Sequence, residues 1–131
     1  MNSIICLSDA ITVVEKVSKS VNDILAPVCV KNRGQWNSYN HIEIYNSGSK
    51  MVKKVNVDIK EFLDGRCKWK HPNNLNERKL VIPYIEPNGH KEHELLYAYS
   101  GDGEDVHLQI SWEDWLGIKH SDTQCLHLEG L

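Results

Sequence analysis

Residues 40–62, NHIEIYNSGSKMVKKVNVDIKEF, contain the pattern that decides the fold. One apolar row precedes the polar break at residues 46–48, and a second row follows it. The rows consist of Ile42 and Ile44, and of Val52, Val55, Val57 and Ile59. Alternation with a period of two is typical of a strand with one buried and one wet face. Two such runs around a turn cluster predict an antiparallel strand pair.

The chain after Pro27 continues in the same manner. Short apolar or alternating segments lie at residues 28–32, 41–45, 51–59, 66–70, 79–84, 92–99, 106–112 and 123–129. Turn-forming residues separate them, as at 85–89 and 100–105. This spacing predicts a mainly β fold of seven or eight antiparallel strands, arranged as a sandwich or a barrel. Predicted helices do not alternate with the predicted strands, so a parallel sheet is not expected.

Residues 8–26, SDAITVVEKVSKSVNDILA, carry the helical pattern of the chain. Apolar residues recur at spacings of three and four, which is typical of an amphipathic helix. They are Ile11, Val14, Val17, Val21, Ile24 and Leu25. Pro27 ends the helix because it disfavours the α conformation of the residue before it. We therefore predict an N-terminal helical segment over residues 1–27 and a β-sandwich domain over residues 28–131.

The predicted helix offers an apolar surface at Val14, Val17 and Val21. This surface suits either the sandwich of the same chain or the surface of another molecule, and the sequence leaves both open. Trp115 lies in a turn between two predicted strands, where it caps the core or anchors a partner. Tryptophan is enriched at binding hot spots. We therefore take Trp115, together with the apolar surface at Val14, Val17 and Val21, as candidate partner-binding positions.

Length and charge restrict the class of protein. The chain has 131 residues, which is enough for one domain with a modest core. Its formal net charge of -3 does not favour nucleic acid or an anionic membrane as a general partner. The apolar runs are far shorter than the roughly 20 residues that cross a bilayer. The start of the chain lacks the features of a signal peptide, so a cytoplasmic location is expected.

The four cysteines are widely separated and show no metal-binding spacing. They are Cys6, Cys29, Cys67 and Cys125. In a reducing compartment we expect them to be buried thiols that pack as small apolar groups. If the protein were secreted, they would instead allow two disulfides with three connectivities.

Three motifs within residues 40–131 resemble a group of bacterial immunoglobulin-like β-sandwich domains. The first is an Asn-x-Gly turn at 46–48 before the valine-rich strand at 52–59. The second is an I-P-x-(I/L)-x-P strand exit, IPYIEP, at 82–87, and the third is an I-S-(Y/W)-x-D-x-x-G hairpin, ISWEDWLG, at 110–117. The resemblance implies an immunoglobulin-like sandwich with an interaction role. It carries over no catalytic residues.

Basic residues surround one aromatic residue in the segment at 66–70, which reads RCKWK. Arg66, Lys68 and Lys70 beside Trp69 offer a surface on which a nucleic-acid base or another ligand stacks, as on an oligonucleotide-binding barrel. Lysines on exposed strands also simply block edge-to-edge pairing of sheets. The negative net charge favours this second interpretation, and we keep the ligand-binding barrel as an alternative.

Two further segments offer metal ligands. His90 and His93 form a His-x-x-His pair, which shares a metal on a helix but points to opposite faces on a strand. A small metal-dependent enzyme built on surface histidines is therefore a second alternative. Residues 101–105, GDGED, cluster carboxylates but match a turn better than a calcium site.

The sequence contains no recognisable phosphate loop, nucleophile elbow or catalytic cysteine–histidine motif. We therefore predict a non-catalytic small interaction module without a cofactor. Its expected partner is another protein or a second copy of the chain, with a homodimer as one form.

Overall fold

The computed structural model describes residues 27–61, 65–71 and 77–131. The helix predicted over residues 8–26 lies outside the described residues, together with Val14, Val17 and Val21. The division of the chain at residue 27 therefore stays a prediction.

The described residues form eight strands and no helix. In chain order the strands are β1 (Val28–Trp36), β2 (Tyr39–Asn46), β3 (Val52–Ile59), β4 (Cys67–Trp69), β5 (Lys79–Ile85), β6 (His90–Tyr97), β7 (Glu104–Glu113) and β8 (Lys119–Leu128). They make two four-stranded sheets with the orders β1-β2-β6-β4 and β5-β3-β7-β8. We call these sheet A and sheet B. Every pairing within the sheets is antiparallel, so the predicted mainly β antiparallel fold is confirmed.

The strand pair predicted from residues 40–62 is wrong in one respect. β2 pairs with β1 and β6 in sheet A, whereas β3 pairs with β5 and β7 in sheet B. The chain crosses between the sheets at Asn46, whose side-chain amide donates to the carbonyls of Lys50 at 2.7 Å and Ile85 at 3.2 Å. Alternation reports which face of a strand is buried, and it is the same for a hairpin and for a crossover.

Both sheets contribute their inward side chains to one apolar core. Ile42 and Ile44 from β2, and Val57 and Ile59 from β3, are at most 1% exposed. The uneven spacing of Val52 and Val55 is accommodated by a register shift between Lys53 and Asn56, so both valines point inward. The predicted inward row of β7, which ends at Trp112, is also buried and therefore confirmed.

Buried amides join the sheets where β1 lies beside β8. The side chain of Gln124 is fully buried, accepts a hydrogen bond from the Val30 amide at 3.0 Å and donates to the Val28 carbonyl at 2.7 Å. Asn40 is also fully buried and bonds both the amide and the carbonyl of Glu129. We call the line along which β1 lies beside β8 the seam. No backbone ladder connects the two strands there, so these side chains provide the hydrogen-bond partners of the backbone groups.

Candidate functional site

The turn between β7 and β8 is built around Asp114. Its amide donates to the Ile118 carbonyl at 2.9 Å, and its carbonyl accepts from the Gly117 amide at 2.9 Å. Its carboxylate oxygen Oδ1 accepts from the amides of Leu116 and Ile118, each at 2.9 Å. Gly117 has a φ of 85°, which glycine adopts without strain. The five residues of the turn therefore hold one defined shape.

Asp114 also ties this turn to the body of the sandwich. It is only 5% exposed, and its second carboxylate oxygen lies 2.6 Å from Nε2 of His120. The His120 ring stacks on the buried Trp112 ring, with centroids 5.6 Å apart. Burial alone would raise the pKa of the Asp114 carboxyl, but hydrogen bonds from His120, Ile118 and Leu116 outweigh it and lower the pKa. The carboxylate is thus the stable form in the fold.

Apolar side chains cover the outer surface of this turn. Trp115 is 51% exposed, Leu116 61% and Ile118 53%. Met51 from the β2–β3 connection is 39% exposed and follows Lys50, whose ammonium lies 5.2 Å above the Trp115 ring. We call Trp115, Leu116 and Ile118 the tip. A contiguous apolar surface on a rigid turn is a common feature of protein contact sites.

A set of lysines surrounds the tip. Its members are Lys50, Lys53, Lys54 and Lys119, and all are exposed. Glu113 pairs in register with both Lys53 and Lys119, and its carboxylate lies 3.5 Å from the Lys54 ammonium. Two carboxylates, those of Glu113 and the buried Asp114, lie among four ammonium groups, which leaves the surroundings of the tip positively charged.

A small cleft lies on the flank of the tip. Its volume is about 230 Å³, and Trp112, His120 and Lys54 are among its lining residues. The indole nitrogen of Trp112 is buried there and has no hydrogen-bond partner among the described residues. Clefts that hold small organic ligands usually measure roughly 300–1,000 Å³, so this cleft is a less suitable binding site than the tip.

Trp115 is the one predicted partner-binding residue that the structure describes, and it lies in the exposed tip. Val14, Val17 and Val21 lie outside the described residues. Sequence reasoning missed Asp114, His120 and Lys119, and it did not place the basic residues Lys50, Lys53 and Lys54 beside Trp115. The D-x-x-G spacing of ISWEDWLG is the signal for Asp114, because an aspartate ahead of a glycine turn often bonds the following amides.

In the structure, the aromatic residue of the nucleic-acid-binding surface predicted at residues 66–70 is buried and not on the surface. Trp69 is 1% exposed, points into the core, and donates its indole hydrogen to the Val57 carbonyl at 3.2 Å. A base therefore cannot stack on this ring without opening the core. Lys68 pairs with Glu77 at 3.4 Å and Lys70 with Glu94 at 3.3 Å, while Arg66 lies 5.6 Å from the Tyr99 ring.

The predicted His90 and His93 pair lies on β6, where the register places the two residues on opposite faces of sheet A. His90 is exposed, whereas burial and the nearby Lys91 ammonium lower the pKa of His93. Within residues 27–61, 65–71 and 77–131, no three His, Cys, Asp or Glu side chains are grouped as metal ligands. The pair therefore does not act as one bidentate site.

A second charged surface lies at the other end of the sandwich from the tip. It consists of Asp102, Glu104, Asp105 and Glu129, all exposed, and we call it the acidic end. The Asp105 carboxylate lies 2.8 Å from Nδ1 of His127, and this hydrogen bond is the main reason why the His127 pKa is raised. Burial raises the pKa of Tyr97, and the hydrogen bond that its hydroxyl donates to Glu104 at 2.8 Å raises it further.

No helix among the described residues is long and apolar enough to cross a membrane. Comparisons of the chain with protein-family models, with curated proteins and with solved structures found no match. The geometry of the tip and of the acidic end is therefore the basis for assigning a role.

Proposed function

We propose that this protein is a non-catalytic interaction module that makes protein–protein contacts, including contacts between its own copies, through the tip. One observation carries the proposal. Trp115, Leu116 and Ile118 are each more than half exposed, although the turn that bears them is fixed by Asp114. Such a turn keeps its apolar side chains in water in the free protein, and a partner surface would remove them from water.

The rigidity of the turn favours binding. A flexible loop would lose conformational freedom on binding, whereas a turn already held by hydrogen bonds loses little. The central tryptophan has the large apolar area and low side-chain entropy that mark binding hot spots. The ring of lysines adds long-range attraction for an acidic partner and raises the rate of encounter.

Pro27, the first described residue, lies at the same end of the sandwich as the tip. The Pro27 carbonyl accepts hydrogen bonds from the amide and the hydroxyl of Ser47, at 2.7 and 3.0 Å. Lys50, three residues further on, lies over Trp115. The predicted apolar surface at Val14, Val17 and Val21 is also included in the proposed contact surface.

The order of the strands supports an immunoglobulin-like fold for the module. Immunoglobulin constant domains place strands A, B, E and D in one sheet and C, F and G in the other. Sheet A has the order β1-β2-β6-β4 and sheet B contains β3-β7-β8, which correspond to these two sets in chain order. β5 is then an additional edge strand beside β3. We also propose a cytoplasmic location.

The experiment that tests the proposal compares complexes of the full-length protein. The full chain is purified from its source cells under native conditions, and the masses of its complexes are measured by native mass spectrometry. The tip variant carries Leu116→Ser and Ile118→Ser, and a second variant carries Val14→Ser, Val17→Ser and Val21→Ser. We expect the wild-type complex to be lost in both variants, because each removes apolar contact area.

A matched control carries Lys16→Ser and Lys19→Ser on the opposite face of the predicted helix. It should retain the complex. If the complex persists in the tip variant, the tip is not the contact surface and the proposal fails. If it is lost only in the variant at Val14, Val17 and Val21, the contact lies on the N-terminal segment alone.

A further inference from the structure

The two ends of the sandwich carry opposite charge. β7 runs from Glu104 to Glu113 between them, and ten residues of antiparallel strand span roughly 33 Å. The tip lies beyond the end of β7 and its four lysines lie around that end, whereas the acidic end lies at the start of the strand. This separation exceeds the screening length of about 8 Å in physiological salt, so the two ends act as separate charged surfaces.

The acidic end also has a defined shape. A Cβ on Gly103 would lie 1.9 Å from the Leu128 carbonyl oxygen, so the acidic loop packs directly on the end of β8. His127 bonds both the Asp105 carboxylate and the Asp102 carbonyl. Trp36, the last residue of β1, is 46% exposed, and its ring stacks on His41 on the outer face of sheet A, with centroids 3.5 Å apart.

Charge decides how two copies could use the tip. If two tips met, the four lysines of one copy would face those of the other, and like charges oppose such a contact. If the tip met the acidic end, ammonium groups would face carboxylates. The second arrangement is the one that the distribution of charge favours.

We propose that the partner of the tip is the acidic end of a second copy of this chain, so that copies associate head to tail. The proposal rests on the proposed function, because it names the partner of the same surface. The contact is heterologous, since each copy uses two different surfaces, and such a contact adds further copies unless the arrangement closes into a ring. The tip is small, so each contact is expected to be weak and sensitive to salt.

Sedimentation equilibrium of the full chain over a range of concentrations tests this arrangement. The weight-average mass should rise with concentration past that of a dimer, and high salt should return it towards the monomer. The tip variant, Leu116→Ser with Ile118→Ser, should weaken association about tenfold or more. An end variant, Asp102→Lys with Asp105→Lys, should do the same. Asp58→Lys, an equal change of charge per site opposite Gln109 in the middle of sheet B, is the control and should leave the mass unchanged.

Mixing the two variants distinguishes this arrangement from others. The end variant retains its tip and the tip variant retains its acidic end, so an equimolar mixture should form a 1:1 dimer that does not grow. If the chain stays monomeric at every concentration, or the mixture stays monomeric while the wild type associates, the head-to-tail contact is refuted. If the tip variant abolishes association and the end variant does not, the tip remains a contact surface but its partner is not the acidic end. If the tip variant still associates like the wild type, the proposed function fails as well.

Discussion

Replacing Asp114 with alanine should loosen the tip and destabilise the whole domain. The change removes the acceptor for the Leu116 and Ile118 amides and the partner of His120. Water can reach the turn and satisfy part of this loss, so we count about 1 kcal/mol for each of the three hydrogen bonds. The expected cost is about 3 kcal/mol of unfolding free energy. At about 4 °C per kcal/mol for a domain of this size, the melting temperature should fall by about 12 °C.

A matched control for this change is available in the same fold. Asp105 and His127 form another aspartate–histidine pair at 2.8 Å, but their side chains are 62% and 54% exposed. Because water and salt screen an exposed pair, Asp105→Ala should cost less than about 1 kcal/mol. Urea unfolding of both variants, followed by circular dichroism, measures the two costs. If Asp114→Ala costs no more than Asp105→Ala, Asp114 does not hold the turn as described.

The stabilisation from Asp114 should also depend on pH. Because the folded pKa of Asp114 is lowered, the contribution is present above the unfolded value of about 3.9 and is lost as the pH falls through the lower folded value. The difference in stability between wild type and Asp114→Asn should therefore be full at pH 7 and should shrink below about pH 4. A difference that does not change with pH would mean that the charge of Asp114 is not the stabilising feature.

Three other predictions follow from the described contacts. Trp69→Ala should cost about 3–5 kcal/mol in urea unfolding, because the ring is core, and a cost near zero would mean that the ring is a surface feature. Gln124→Ala should cost about 2–4 kcal/mol, because it leaves the Val30 amide and the Val28 carbonyl unpaired at the seam, and full stability would show that water replaces the amide. In a proton NMR titration His127 should have a pKa above 6.5 and His93 one below it, and Asp105→Ala should lower only the His127 value. The stabilisation from the His127–Asp105 pair should be present below about pH 6.5 and lost as the pH rises through the raised folded pKa. An Asp105→Ala variant in which the His127 pKa is unchanged would contradict the assignment of Asp105 as the cause of the shift.

Much of the fold could be predicted from alternation, because the period of side chains along a strand is fixed by backbone geometry. The segments 41–45, 51–59 and 106–112 were predicted as strands, and their apolar rows are inward in the structure. Alternation does not identify the neighbouring strand, and this is why the strand pair predicted around residues 46–48 is wrong: the two strands belong to different sheets.

The buried polar side chains that form hydrogen bonds between the two sheets were harder to predict. Gln124 and Asn40 occupy inward positions where the pattern gives no reason for a polar residue, and their role depends on backbone groups that are distant in sequence. The same dependence on contacts that are distant in sequence explains why the burial of Trp69 could not be predicted. Its alternation with lysines places it on the face shared with Cys67, but only the packing of the two sheets shows that this face is the core.

The lysines around the tip come from separate parts of the chain. Lys50, Lys53 and Lys54 precede or begin β3, whereas Lys119 begins β8. The pairing of β3 with β7, and of β7 with β8, brings them together around Glu113. A net charge of -3 for the whole chain gave no indication of a basic surface, because charges of opposite sign are gathered at the other end. The local field at a contact surface depends on this distribution more than on the sum.

Site-specific photo-crosslinking in living cells tests most directly whether the tip is the contact surface. A photoreactive residue is placed at Leu116 in the tip and, in a separate variant, at Ser121, which is also exposed but lies on β8. We expect an adduct of discrete mass from position 116 and none from position 121. The mass of the adduct shows whether the partner is a second copy. Equal yields at both positions, or no adduct at position 116, would contradict the central claim.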